Sequence, residues 1–154
     1  MENGKKVNLK NQEEFLGKIV DSNKIYEYKN GDETFQYKRL KPNERLKLFA
    51  KYDIIELSNS IEEIQKKILA AQENNEEPCI NIPVKLIDFV YEVVCYPDRL
   101  VGWSGVKDDN NNEVKFNSEK ITEYDDFVVL TELAYAMLGL SNIDQDKKKE
   151  NSIT

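Results

Sequence analysis

"KIYEYKNGDETFQYKRL", Lys24 to Leu40, decides whether this chain is built from helices alone. Ile25, Tyr26 and Tyr28 precede Asn30-Gly31-Asp32, and Phe35, Tyr37 and Leu40 follow it. Aromatic and β-branched residues on both sides of an Asn-Gly pair predict a hairpin, because Asn and Gly tolerate the positive φ of a tight turn. The rest of the chain reads mainly as helix. The expected fold class is α+β, predominantly α-helical, with five to six helices, this N-terminal β-hairpin and a second hairpin near 106–116.

Upstream, Asn11 with Glu14 marks a helix start leading through Phe15, Leu16 and Ile19 to Val20. Downstream, Pro42 suits the first position of a helix carrying Leu46, Leu48, Phe49 and Tyr52. Ser60 and Glu63 form a capping-box pattern before a stripe of Ile61, Ile64, Ile68 and Leu69. Pro83 opens "IPVKLIDFVYEVVCY", apolar on nearly every face, and Pro97 closes it; this is the expected central helix of the core. Ser118 and Thr122 offer caps before a last helix that places Tyr124, Phe127, Val128, Thr131, Ala134, Tyr135 and Leu138 on one face. Gly139 suits the position just past its end. Residues 1–140 are expected to form one globular domain, and the charged segment 141–154 a disordered tail.

The chain has 154 residues, enough for one core without staples, and a net charge of -7. An acidic chain binds nucleic acid only by gathering its cations. The nearest gathering is Lys38, Arg39, Lys41, Arg45 and Lys47, which reads as a solvated face, so no nucleic-acid partner is expected. No run reaches the ~20 apolar residues of a membrane span, and the N-terminus shows no apolar signal region. A cytosolic protein with no membrane partner is expected. Cys79 and Cys95 sit in apolar contexts and read as two buried thiols.

The chain contains no histidine. That removes the commonest general base, the usual partner of a Ser or Cys nucleophile, and the usual transition-metal ligand. The remaining chemistry would have to come from "LVGWSGVKDDNNNEVKF", Leu100 to Phe116, which holds the single tryptophan between two glycines. Asp108, Asn110, Asn112 and Glu119 match positions 1, 3, 5 and 12 of an EF-hand loop. The demanding positions fail: Glu113 stands where glycine is needed, and Phe116 occupies position 9. Gly102 and Gly105 lack the spacing and the lysine of a phosphate loop. Ser104 has no base to activate it, and the pairs Asp108/Asp109, Asp125/Asp126 and Glu76/Glu77 are adjacent residues that point apart. No catalytic residue, cofactor or metal is assigned. The tryptophan turn reads either as an anchor for a partner's pocket or as a cap on the domain's own core.

Leu100, Trp103, Gly105, Val106, Asp108, Val114, Phe116 and Glu119, followed by a C-terminal helix, resemble an arrangement in the tail assembly chaperones of long-tailed bacteriophages and phage-like particles. "YEYKNGDETFQYKRLKPNERLKL", Tyr26 to Leu48, is similar to the hairpin and following helix near the start of those proteins. The chain departs from them at the turn, where Asn112 and Glu113 replace the usual glycine. The resemblance implies a non-enzymatic protein of the bacterial host cytoplasm. It would keep the tape measure protein soluble, help recruit the tail tube protein, and be absent from the finished particle. Self-association is allowed. Trp103, Val106, Phe116, Tyr124 and Tyr135 are the expected protein-interaction residues. The alternative is a structural virion component, such as a tail completion or neck protein; a carboxylate enzyme is the third reading.

Overall fold

The hairpin forms where it is expected. The computed structural model describes residues 19–140. Strands β1 (Ile25–Asn30) and β2 (Glu33–Lys38) pair antiparallel, with Tyr26 opposite Tyr37 and Tyr28 opposite Phe35. The loop between them is Gly31-Asp32, one residue later than the Asn-Gly pair suggests, and Gly31 alone takes the positive φ, 59°. Glycine at the first loop position is the requirement of a type II′ connection. The period of 2 then sends Tyr26, Tyr28, Phe35 and Tyr37 to one face, where Tyr28, Phe35 and Tyr37 are buried.

A third strand, β3 (Leu100–Ser104), pairs antiparallel with β2, giving the order β1-β2-β3. Its residues were expected to form a turn. Phe35 faces Trp103 and Tyr37 faces Leu100, so Val101 is an extra residue that bulges and keeps both apolar side chains on the buried face. The second hairpin is reduced to a single bridge between Lys107 and Glu113 beyond the end of β3.

Four α-helices and one 3₁₀ helix complete the described residues: α1 (Pro42–Lys51), α2 (Ile54–Glu73), α3 (Val84–Val94), the 3₁₀ helix Ser118–Glu123, and α4 (Phe127–Met137). The Glu44 carboxylate accepts from the Lys41 backbone N–H at 2.7 Å, closing the first turn of α1. Leu46, expected on its apolar face, is exposed. α2 starts before Ser60, capped by Asp53, whose carboxylate accepts from Glu56 N–H at 3.1 Å. Ser60 is interior to this helix and donates back to the Glu56 carbonyl at 3.1 Å, so the Ser60/Glu63 pattern is not a start. The helix expected from Asn11 lies outside the described residues up to Lys18; Ile19 and Val20 belong to no regular element. The expected tail 141–154 also lies outside them.

α3 is the centre of the core, with Leu86, Phe89, Val90, Val93 and Val94 buried, and it packs on α4. One cluster of buried residues joins α3, α4 and the sheet. Backbone bonds lock the corner: Leu40 N–H donates to the Met137 carbonyl at 2.9 Å, and Lys38 N–H to the Arg99 carbonyl at 2.6 Å. Arg99 itself is buried and donates to the carbonyls of Ser22 and Arg39. Both cysteines are free and exposed, Cys79 in the loop before α3 and Cys95 at its C-cap, which corrects the expectation of buried thiols. Among the described residues no helix is long and apolar enough to cross a membrane.

Candidate protein-docking surface

Four of the five residues expected to meet a partner gather at one end of the sheet. Trp103 meets Phe35 edge-on at 6.2 Å and Phe116 edge-on at 5.0 Å, and Tyr124 meets Phe35 edge-on at 5.5 Å. Val106 is buried in the same cluster, 6% exposed. The indole N–H of Trp103 donates to the Val114 carbonyl at 2.8 Å. The half-buried ring therefore ties the 105–116 loop back onto β3, as a cap on the domain's own core.

The acidic run in that loop organises backbone. One Asp108 carboxylate oxygen accepts from the N–H groups of Asn110 and Asn112, each at 2.9 Å. This is the local bonding that draws Asp and Asn into turns. Asn111 adopts φ 64°, so asparagine serves where a turn commonly uses glycine, one residue before the expected departure. Glu113 has a purpose there too: its carboxylate accepts from Gly105 N–H at 2.9 Å.

Two polar depressions flank this loop. One is bordered by Trp103, Asp108, Asp109, Glu113 and Glu123, with Lys107 and Lys120. The other is bordered by Asp32, Glu33, Asp125 and Asp126, with Lys107. Tyr124 donates to Glu33 at 2.5 Å, and Asn30 donates to the same oxygen at 3.0 Å. Tyr28 donates to Glu132. Burial first, then the bonded carboxylates, pushes both phenols well above the ordinary tyrosine range, so each remains a protonated donor.

Tyr135, the fifth expected residue, lies elsewhere. It is edge-on to Phe89 at 6.4 Å, its hydroxyl is 3.4 Å from Ser58 Oγ, and it lines an open apolar groove of about 410 Å³. One wall is α2, through Ile61, Ile64 and Ile68. The other is α4, through Phe127, Val128, Thr131 and Tyr135. Leu86, with Ile80 and Ile82 from the preceding loop, and Leu140 just past α4 also line it. The Ser58 and Tyr135 contact puts the first turns of α2 beside the last turn of α4. Among the described lining residues Glu132 is the one charged side chain.

Of the stripe expected on the last helix, Phe127, Val128, Thr131 and Tyr135 line the groove, whereas Ala134 and Leu138 are buried with Val129, Leu130, Leu133 and Met137. The end of α4 is fixed by a Schellman arrangement. Leu140 N–H donates to the Tyr135 carbonyl at 2.9 Å and Gly139 N–H to the Ala136 carbonyl at 3.0 Å, with Gly139 at φ 74°. That motif holds Leu140 against the groove. The groove itself was missed in the sequence, although α4 carries the signal, being apolar on two faces where one packed face needs only one.

The basic residues near the β2 to α1 junction are not simply solvated. The Arg39 guanidinium lies over the Tyr26 ring at 4.5 Å, and Arg45 donates to the Leu138 carbonyl at 3.3 Å. Burial, and then the charge of Arg39, lowers the Arg45 pKa from its ordinary value. Both side chains border Gly139. No protein-family model, curated protein or solved structure matches the chain.

Proposed function

We propose that this chain is a non-enzymatic assembly chaperone of the phage-tail type, acting in the bacterial host cytoplasm on a tape measure protein and aiding tail tube assembly. The observation that carries the reading is the groove between α2 and α4. It is an apolar trough flanked by two helical walls, and helix-in-groove docking uses this geometry to bury an amphipathic segment. A tape measure protein is a long, apolar, helical client, and an acidic carrier with a net charge of -7 keeps such a complex dispersed. Many weak contacts along one extended client add avidity. The sheet end is not the client site in this reading, because Trp103 and Val106 serve the internal packing of the 105–116 loop.

The test is co-expression with the tape measure protein encoded alongside it. The soluble fraction of the client rises with the wild-type chain and falls back with Val128→Arg, a change at a groove residue that is 45% exposed. A client equally insoluble with and without the wild-type chain sinks the reading. Recovery of the chain in fixed proportion from purified particles favours a structural virion component instead.

A further inference from the structure

The groove and the acidic depressions adjoin. Asp125 and Asp126 border the acidic surface, and Asp126 caps α4 immediately before Phe127, the residue that opens the groove wall. At the opposite end of α4, Leu140 lines the groove next to Gly139, and the two arginines near Gly139 are engaged, Arg39 over the Tyr26 ring and Arg45 at the Leu138 carbonyl. The trough is apolar along its walls and meets the acidic surface at Phe127. Glu132 adds negative charge within the wall.

Resting on the chaperone reading, we infer that the groove accepts one polarity of client: an apolar amphipathic helix that continues, at the Phe127 end, into a lysine- or arginine-rich segment. Charge of opposite sign across an interface fixes register and rejects wrong partners, and like charges there are repelled. The apolar stripe supplies contact area, and the basic extension decides which way the helix lies. The acidic run of the 105–116 loop borders the same acidic surface, through the depression that Asp109, Glu123 and Asp125 share.

Two fluorescein-labelled peptides of about 20 residues test this, a length of about 30 Å when helical. They share one leucine stripe; one ends in four lysines, the other in four glutamates. Fluorescence anisotropy with the full chain is expected to give about tenfold tighter binding for the lysine peptide at low salt, a difference equivalent to about 1.4 kcal/mol. The advantage shrinks in about 1 M NaCl, where the screening length falls to ~3 Å. Asp125→Lys with Glu123→Lys narrows it as well. Val128→Arg abolishes binding of both peptides, and Gln65→Arg on the facing wall, at an exposed position, repeats the result.

Equal affinity for the two peptides, lost in Val128→Arg, overturns the polarity and leaves the groove as a client site. Binding untouched by both arginine variants, or no binding of either peptide, overturns the polarity and the groove together. Self-association of the free chain that both arginine variants abolish assigns the groove to a second copy and overturns the inference.

Discussion

The two faces of α4 differ little in composition and greatly in environment. One face carries Leu130, Leu133 and Met137, each no more than 1% exposed against α3 and the sheet. The other carries Phe127, Val128, Thr131 and Tyr135, with Val128 45% exposed on the groove. The same contrast separates the sheet end of the molecule from its α2 side. At the sheet end, edge-on aromatic contacts, the indole bond and the Glu113 to Gly105 bond hold the loop against β3 and leave polar depressions beside it. On the α2 side, a helix of 20 residues buries only Leu57 and Ala71. Apolar side chains are therefore necessary for a core but do not make one; a facing element must be present to exclude water. Apolar surface left open in this way is a mark of an interaction site.

The largest effect that would break this comparison is a truncation on the packed face. Leu133→Ala should cost about 4 kcal/mol, within the range for a fully buried leucine, because both the transfer energy and a cavity are involved. Val128→Ala should cost less than about 1 kcal/mol, since about half of that side chain already meets water. Urea denaturation of both variants measures the gap. Comparable losses would mean that the groove face is packed in solution and is not free to dock anything.

Glycine positions sharpen the contrast at the next level. Gly105 has φ 77°, and a Cβ built there would sit 2.1 Å from the Asp32 carbonyl oxygen, on the backbone of the hairpin turn. Gly31 has φ 59° with nothing within 4 Å of such a Cβ. Gly105→Ala combines left-handed strain with a backbone collision and should cost about 3 kcal/mol. Gly31→Ala carries only the strain, about 1 kcal/mol. The measurement is thermal or urea unfolding, with Trp103 fluorescence reporting the loop. Equal losses would show that the hairpin turn does not press on the 105–116 loop.

Much of this was legible in the sequence. Aromatic pairs around Asn30-Gly31 announced the hairpin, because tight turns admit few residue types. Pro83, Pro97 and Gly139 bounded two helices through fixed φ, a missing N–H and tolerance of positive φ. β3 was not legible: five residues containing Gly102, with a bulge at Val101, make no clean alternation, and only pairing with β2 creates the strand. The groove was illegible for a related reason. Periodicity finds an apolar stripe on α4 but cannot tell whether α2 covers it or stands beside it. Trp103 read either as an anchor for a partner or as a cap on the core, and periodicity could not supply the Val114 carbonyl that accepts from its N–H.

Charge contributes least, and one pair at the exposed side of α3 tests that claim. Glu92 accepts from Lys51 Nζ at 2.5 Å and from the Tyr52 hydroxyl at 2.6 Å. Burial alone would raise the Glu92 carboxyl; the bonds from Lys51 and Tyr52 and the Lys51 charge outweigh it and leave it below the ordinary glutamate range. A folded-state pKa below the unfolded one adds stability above the unfolded value, about pH 4.3, and that stability is lost as pH falls through the folded value. Burial and then the bond to Glu92 raise the Tyr52 phenol, so its contribution is present below the unfolded value of about 10 and is lost as pH climbs toward the folded one. The Lys51 side chain is 61% exposed, so the ion pair is screened and is worth about 0.2–1 kcal/mol. Glu92→Gln should flatten the acid limb of stability by that small amount and leave the neutral-pH unfolding cooperative. A loss as large as that of Leu133→Ala would mean that α1 is held to α3 by charge, and the division between packed and open regions would then need a third, electrostatic class.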